Sequence, residues 1–550
     1  MDAAEFRKRG KEMVDYIADY LDSVHHRRVF PEVDPGYLDQ LIPTEAPEEG
    51  ENWDEIIKDV ERVIMPGMVH WQHPGFHAYF PAGNSFPSII ADMLGDGLGC
   101  VGFSWASSPA CTELETVMLD WVGKMLQLPP EFLFSPSQGR GGGVLQGSAS
   151  DCILVALLSA RTNCLRELRE ENPCSEDGEF LSKMVAYCSK QAHSSMEKAA
   201  MIACVQIRQL PTDSEFSLRG DTLKAAIASD REQGLIPIFV GATLGTTSSV
   251  AFDNIAELGL VCHKEQVWLH VDGAYAGNAM ICPEFRYLLD GIEHANSFNI
   301  NPNKWMLVNF DCSCMWVKDS NSIKGAFNVD PLYLQHKNTG SCIDYRHWGI
   351  PLSRRFRSLK LWFVIRNYGV EGLRNYIRRH CKLAKKFEHL VKQDRRFEVM
   401  NKVEMGLVCF RMVGPNKFSE TLINSINESG RLHMVPSSLN GKYMVRFAVC
   451  AENANEADIT YAWKVIQQFA DKILRPSDMD DEHHLEQPGP NGEVVDSKGM
   501  KRLDLKPLEL GADTVIIEEG APFCPVSELM TGPFRGRTKK LRQTQSLHLW

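Results

Sequence analysis

Four groups of residues in this chain are of types that do chemistry. Lys304 sits near the end of the stretch SFNINPNKW, between a strand-like run and a tryptophan, where a solvated lysine is not expected. Asp272 ends the apolar run beginning VWLHVD. An aspartate at the end of a buried strand costs desolvation energy unless a cation or a hydrogen-bond donor meets it. His193, in QAHSSMEKA, follows the apolar run KMVAYCS and opens a helical pattern. The glycine-rich stretch QGRGGGVLQGSAS (138–150) ends in Ser148 and Ser150, which lead into the helical SDCILVALLSART. A helix N-terminus bearing hydroxyls suits a phosphate. Singly, each has a plain structural reading: a strand-end surface lysine, a cap or ion pair, a capping histidine, a flexible loop.

Together the four suit pyridoxal phosphate. That cofactor needs an anion cradle, a carboxylate that keeps its ring nitrogen protonated, a lysine and an apolar plate over the ring. A lysine buried at a strand end has its pKa readily lowered, as imine chemistry requires. Asp272 precedes Lys304 by 32 residues, consistent with consecutive strand ends of one sheet. The glycines miss the GxGxxG spacing, which counts against a nucleotide-dependent oxidoreductase.

The elements that must position these groups follow from the hydrophobic pattern. Apolar runs at 183–189, 236–245, 267–275 and 306–317 alternate with helical patterns between about 86 and 360. Such runs predict an α/β fold with a mostly parallel central sheet covered on both faces. Residues 1–85 read as an N-terminal helical segment and 361–476 as a small α+β domain. The polar, Gly/Pro-broken stretch 477–550 reads as a disordered tail, and its basic run FRGRTKKLRQ as a solvated one. The net charge of −12 argues against a nucleic-acid partner. The N-terminal stretch is amphipathic without a signal-like apolar core, and no run nears the roughly 20 apolar residues of a membrane span. Sixteen cysteines without CxxC pairing read as reduced core thiols. The expectation is a cytoplasmic protein without metal.

The chain resembles the group II pyridoxal-phosphate amino acid decarboxylases, which act on aromatic amino acids, histidine or tyrosine. The resemblance rests on FRKRGKEMVDYIADYL, GFSWASSPACTELE, GGGVLQGSAS, AHSS, ATLGTT, HVDGAYAG, NPNKW and HWGIPLSRRFRSLKLWF, and spans residues 1 to about 475. It implies an aspartate-aminotransferase-like fold (type I) and a homodimer with sites at the interface, against which the segment 1–85 packs. Lys304 would form the Schiff base, Asp272 would face the pyridine nitrogen and His193 would stack on the ring. Ser148, Ala149, Ser150 and Asn301 would hold the phosphate, with Thr247 close by. Trp71, Tyr79, Phe80, Ala82, Phe103 and Ser353, with His193, would meet the substrate. Tyr333 would return a proton to the substrate carbon after CO₂ leaves. Three residues depart from the usual pattern. Gly273 replaces an alanine and is expected to loosen packing under the ring, Asn296 replaces an aspartate and is expected to alter a nearby charge, and Asn303 stands where dopa decarboxylases carry histidine.

The resemblance implies simple decarboxylation, because His193 and the loop tyrosine are both kept; related aldehyde synthases lack one or the other. Ser353 in IPLSRR resembles histidine and tyrosine decarboxylases, whereas DYRHW differs from histidine decarboxylases. The likeness is greatest to animal tyrosine decarboxylases, with dopa or histidine as alternative substrates. A catalytically silent interaction protein is disfavoured by the retained Lys304, Asp272 and His193.

Overall fold

The apolar runs pair as one seven-stranded sheet in the computed structural model, which describes residues 1–134, 140–334 and 342–474, apart from the side chain of Tyr333. Its strands are β1 (Gly142–Gln146), β2 (Met184–Ser189), β3 (Gln206–Leu210), β4 (Ile236–Thr243), β5 (Trp268–Asp272), β6 (Ser297–Ile300) and β7 (Ser313–Val317). They lie in the order β1-β7-β6-β5-β4-β2-β3. Pairing is parallel from β6 through β3, and β7 runs antiparallel to both its neighbours. The reason is local. Between β6 and β7 the chain makes a single helical turn, Pro302–Trp305, and no crossover helix, so it returns the way it came.

Two sequence expectations change here. The strand expected over 306–317 shortens to Ser313–Val317, because Met306–Cys312 turns the chain back. The glycine-rich stretch is not a surface loop throughout, since Gly142–Gln146 is a buried strand. A Cβ on Gly143 would lie 3.0 Å from both Leu119 and Trp316, so the glycine permits close packing there.

Alternation along the strands separates two cores. Val185 and Tyr187 face one, while Met184, Ala186 and Cys188 face the other. The helix Ala149–Glu171 lies on the second face, against β1 and β4 to β7. A smaller antiparallel sheet follows, in the order β10-β11-β9-β8, from β8 (Phe397–Val399), β9 (Leu407–Met412), β10 (Val435–Leu439) and β11 (Lys442–Ala448). Its core centres on Phe387, stacked on Phe447 at 3.7 Å and edge-on to Trp463.

The helix Ser358–Gln393 touches both assemblies, and the expected divide at residue 360 falls inside it. The described residues belong to one compact unit, Met1–Pro476, and the tail 477–550 lies outside them. The described cysteines form no disulfide. No helix among the described residues is long and apolar enough to cross a membrane.

The long helix breaks at Gly369, with φ 66° and ψ 168°, a region essentially restricted to glycine. A Cβ there would meet nothing within 4 Å, so the demand is on the backbone alone. Gly369→Ala should therefore cost about 1–3 kcal/mol, lowering Tm by a few degrees. Gly10→Ala, within the helix Ala3–Ser23 and also in open space, should leave Tm unchanged or raise it. Equal melting of both variants in a thermal scan would refute the strain.

Candidate active site

Lys304 owes its position to Trp305. In the turn Pro302–Trp305, Pro302 pre-sets the first helical position and the Lys304 N–H donates to the Asn301 carbonyl at 2.9 Å. Trp305 is completely buried. Its ring lies 4.6 Å from that of Tyr275, which in turn stacks on Phe80 at 3.9 Å. Its indole Nε1 donates to His380 Nδ1 at 3.1 Å, and His380 Nε2 reaches the Ala451 carbonyl at 3.1 Å. With the tryptophan locked, the lysine side chain is aimed into the cleft, its Nζ 5.7 Å from the Phe80 ring centre. Burial pushes the Lys304 amine below the ordinary lysine pKa, against the opposing pull of Asp272, and the Arg446 cation adds to the depression. A lysine so placed is a competent nucleophile.

Asp272, at the end of β5, is 5% exposed. Its Oδ1 accepts from the Ala274 N–H at 3.0 Å and from Asn299 Nδ2 at 3.3 Å. Among the described residues no cation forms an ion pair with it. The Asp272 charge nevertheless favours the protonated forms of both Lys304 and His193, so the three are neighbours. The His193 ring is open to the cleft, with Nδ1 accepting from the Ser195 N–H at 3.2 Å and lying 2.8 Å from its hydroxyl. The neutral ring therefore carries its proton on Nε2. Desolvation is the largest cause of its lowered pKa, and Lys304 adds to it.

The phosphate cradle expected around residue 149 falls at a helix N-terminus. Ser148 caps the helix Ala149–Glu171, its hydroxyl accepting from the Asp151 N–H and donating to the Asp151 carboxylate. That leaves the Ala149 and Ser150 N–H groups without a protein acceptor among the described residues, at the positive end of a 23-residue helix. Ser313 Oγ donates to Asn301 Oδ1 at 2.5 Å, so Asn301 has its amide nitrogen left to offer. Thr247 is exposed in the turn after β4. Ser248 Oγ, beside it, donates to Gln191 at 2.7 Å, tying that turn to the His193 segment. Cradle, buried anion and depressed lysine all fit pyridoxal phosphate.

The residues expected to meet the substrate do not all fall together. Trp71 stacks on Tyr79 at 5.3 Å, and Phe80 lies beside Lys304. The Ala82 carbonyl accepts from Gln72 at 2.7 Å, within the same segment. Phe103 and Ser353 share no ring pair or hydrogen bond with these groups among the described residues. The Phe103 carbonyl instead accepts from the Arg346 N–H at 2.9 Å, and Arg346 binds Asp330 at 2.9 Å. Tyr333 lies three residues further on, in the turn Leu332–Leu334, with its side chain outside the described part.

Two expectations about departures are corrected. Packing at Gly273 is tight, since a Cβ would come 2.9 Å from Phe298 and 3.1 Å from the Asn299 carbonyl. Asn296 stands at the far end of β6 from Lys304, where its Oδ1 accepts from the Leu269 N–H at 2.9 Å, and it has no part in the site. Asn303 points away from the cleft to take the Cys312 N–H at 3.1 Å.

Sequence reasoning missed Arg446. It lies on β11, 4% exposed, with its Cζ 5.0 Å from the Phe80 ring centre and Nη2 donating to the Tyr79 carbonyl at 3.0 Å. Its Nε is buried without a partner, and no carboxylate pairs with it among the described residues. The available signal was an arginine inside the apolar alternation YMVRFAVC.

Comparison with known proteins agrees with this geometry. The profile of the pyridoxal-dependent decarboxylase conserved domain matches residues 35–413. Aromatic-L-amino-acid decarboxylase of Mus musculus is 56% identical over 477 residues, 86% of this chain and 99% of that protein. Histidine decarboxylase of Drosophila melanogaster is 53% identical over 474 residues, 86% of this chain and 56% of that longer protein. The crystal structure of Oryza sativa TDC with PLP and tryptamine superimposes with a TM-score of 0.83 at 35% identity, covering 86% of this chain and 99% of that one. The chain belongs to the pyridoxal-phosphate-dependent decarboxylase family, on its type I fold.

Proposed function

We propose that this protein removes the carboxylate of an aromatic L-amino acid, with L-tyrosine, converted to tyramine, as the substrate. The observation that carries the reading is the convergence of the depressed Lys304 amine, the unpaired Asp272 carboxylate and the buried Arg446 beside an aromatic wall of Trp71, Tyr79 and Phe80. Pyridoxal phosphate, when bound, supplies the electron sink into which the bonding electrons of the departing carboxylate pass. The protein does the rest. Lys304 holds the cofactor through its amine, and Asp272 offers an anion to the ring nitrogen. The neutral His193 ring presents an N–H at the open side of the cleft. Arg446 offers its free Nε–H to the substrate carboxylate and so orients the bond to be broken. Tyr333 returns the proton to the α-carbon. Tyrosine is favoured by Ser353 and the aromatic wall. The similarity to an aromatic-L-amino-acid decarboxylase supports dopa as the second reading.

The reading includes a homodimer whose sites are shared. Helix Phe86–Leu98 turns Phe86, Ile90, Met93, Leu94 and Leu98 to the surface, each 44–56% exposed. A two-fold contact over such a stripe would bury it, and the reading has Phe103, Tyr333 and Ser353 of one copy serve the Lys304 site of the other.

Borohydride reduction of the holoenzyme followed by peptide mapping should fix the cofactor to Lys304. A label on any other lysine removes it from its role. An amine-product assay should rank tyrosine above dopa, histidine and tryptophan, and a different order replaces the substrate named here. Asp272→Asn should abolish turnover while leaving the fold intact by circular dichroism, because a neutral amide no longer favours the protonated ring; near-normal turnover would exclude the assignment. Mixed dimers of Lys304→Ala and Tyr333→Phe chains should regain activity that neither parent has. Failure to complement would place both residues of each site in one copy.

A further inference from the structure

Among the described residues Asp272 has one side-chain donor, Asn299, and that donor has a support of its own. In the parallel pairing of β5 with β6, His270 lies opposite Ser297 and Asp272 opposite Asn299. The intervening Leu269, Val271, Phe298 and Ile300 all face the other core. His270, Asp272, Ser297 and Asn299 therefore form a polar square on one sheet face, beneath the helix Ala149–Glu171, and all are buried.

The hydrogen bonds across this square run in one sense. Trp268 Nε1, which can only donate, gives its proton to Ser297 Oγ at 2.9 Å. Ser297 Oγ lies 2.8 Å from His270 Nδ1, and its own proton is free to go there. The His270 proton is then on Nε2. Burial lowers the His270 pKa to about 4, so the ring is neutral near pH 7. Nε2 and Asn299 Oδ1 are both buried without a hydrogen-bond partner among the described residues, and the His270 ring interacts with the Asn299 side chain. Asn299 then has only its Nδ2 hydrogens to turn toward Asp272. Reversing that amide would set an oxygen against the carboxylate.

We infer that Trp268, Ser297, His270 and Asn299 form a positioning network that fixes the Asn299 amide with its nitrogen toward Asp272 and so holds the carboxylate ready for the cofactor's ring nitrogen. His270 is a positioning residue that acts through Asn299. The inference rests on the assignment of Asp272 to that nitrogen.

The test uses the full chain, stripped of cofactor and titrated with pyridoxal phosphate, comparing His270→Leu, His270→Gln, Ser297→Ala and Asp272→Asn. His270→Leu should weaken cofactor affinity roughly tenfold, the worth of one hydrogen bond to an ion. It should lower kcat with little change in KM and leave the melting temperature of the cofactor-free protein near the parental value. His270→Gln, whose amide can still donate to Asn299, should recover most of the loss. Unchanged affinity in His270→Leu overturns the network. So does a loss matched by a fall in cofactor-free melting temperature that glutamine does not rescue, since that is a packing defect. If the leucine variant does not fold, Ser297→Ala decides: weaker cofactor binding supports the network and parental binding overturns it. Asp272→Asn separates the two levels. If it binds cofactor and turns over like the parent, the role of Asp272 itself falls, whatever His270 does.

Discussion

Trp305 is held by a stack on Tyr275 and by a hydrogen bond to His380, and these two contacts reach elements far apart in the chain. Tyr275 follows β5, the strand that carries Asp272, and His380 belongs to the long helix serving both sheets. The one-turn helix of Lys304 would otherwise be a marginal structure, because four residues cannot pay for their own helical order. Its geometry is borrowed from the core. The same stack continues to Phe80, so the apolar plate of the site and the anchor of its lysine are one continuous aromatic column.

Two opposite charges stand beside that column without an ion-pair partner among the described residues. An unpaired buried carboxylate or guanidinium costs several kcal/mol, and here Asp272 and Arg446 both remain unsatisfied by ion pairs among the described residues. Arg354 and Glu115, by contrast, meet each other at 2.6 Å, both nearly inaccessible. Under the proposed function, these two charges are left for the cofactor and the substrate to complete.

Much of this was legible from sequence because it follows from order along one chain. The strand ends at Asp272 and beyond Ile300, the helix after Ser148 and the position of His193 after β2 need only the alternation of apolar runs with helical ones. What escaped depends on pairing between distant segments. Nothing in GGGVLQ says that its glycines sit against Leu119 and Trp316, and so a strand looked like a loop. The antiparallel return of β7 depends on where a turn ends inside an unbroken apolar run. Gly273 was misjudged because its tightness comes from Phe298, across a strand boundary. Arg446 and His270 were visible as polar residues in apolar strands, but their neighbours Tyr79, Ser297 and Asn299 appear only with the register. The Tyr333 side chain and the stretch after residue 474 lie outside the described structure, and their reading rests on sequence alone.

The residues of the aromatic wall, Trp71, Tyr79, Phe80 and Ala82, come from a segment before the first strand, and Phe103 and Ser353 from connections outside the sheet. Asp272, Asn299 and the cradle at Ala149 belong to the sheet and its covering helix. Under the proposed function, the residues that would choose the substrate and those that would break the bond come largely from different segments, joined through Phe80 on Tyr275. Under that reading, changes at Trp71 or Tyr79 need not disturb the buried hydrogen bonds of the sheet, whereas a change at β5 or β6 would touch the chemistry itself. Such a division lets one scaffold diversify its diet while its chemistry stays fixed, and it locates the first positions to vary when a new amine is wanted.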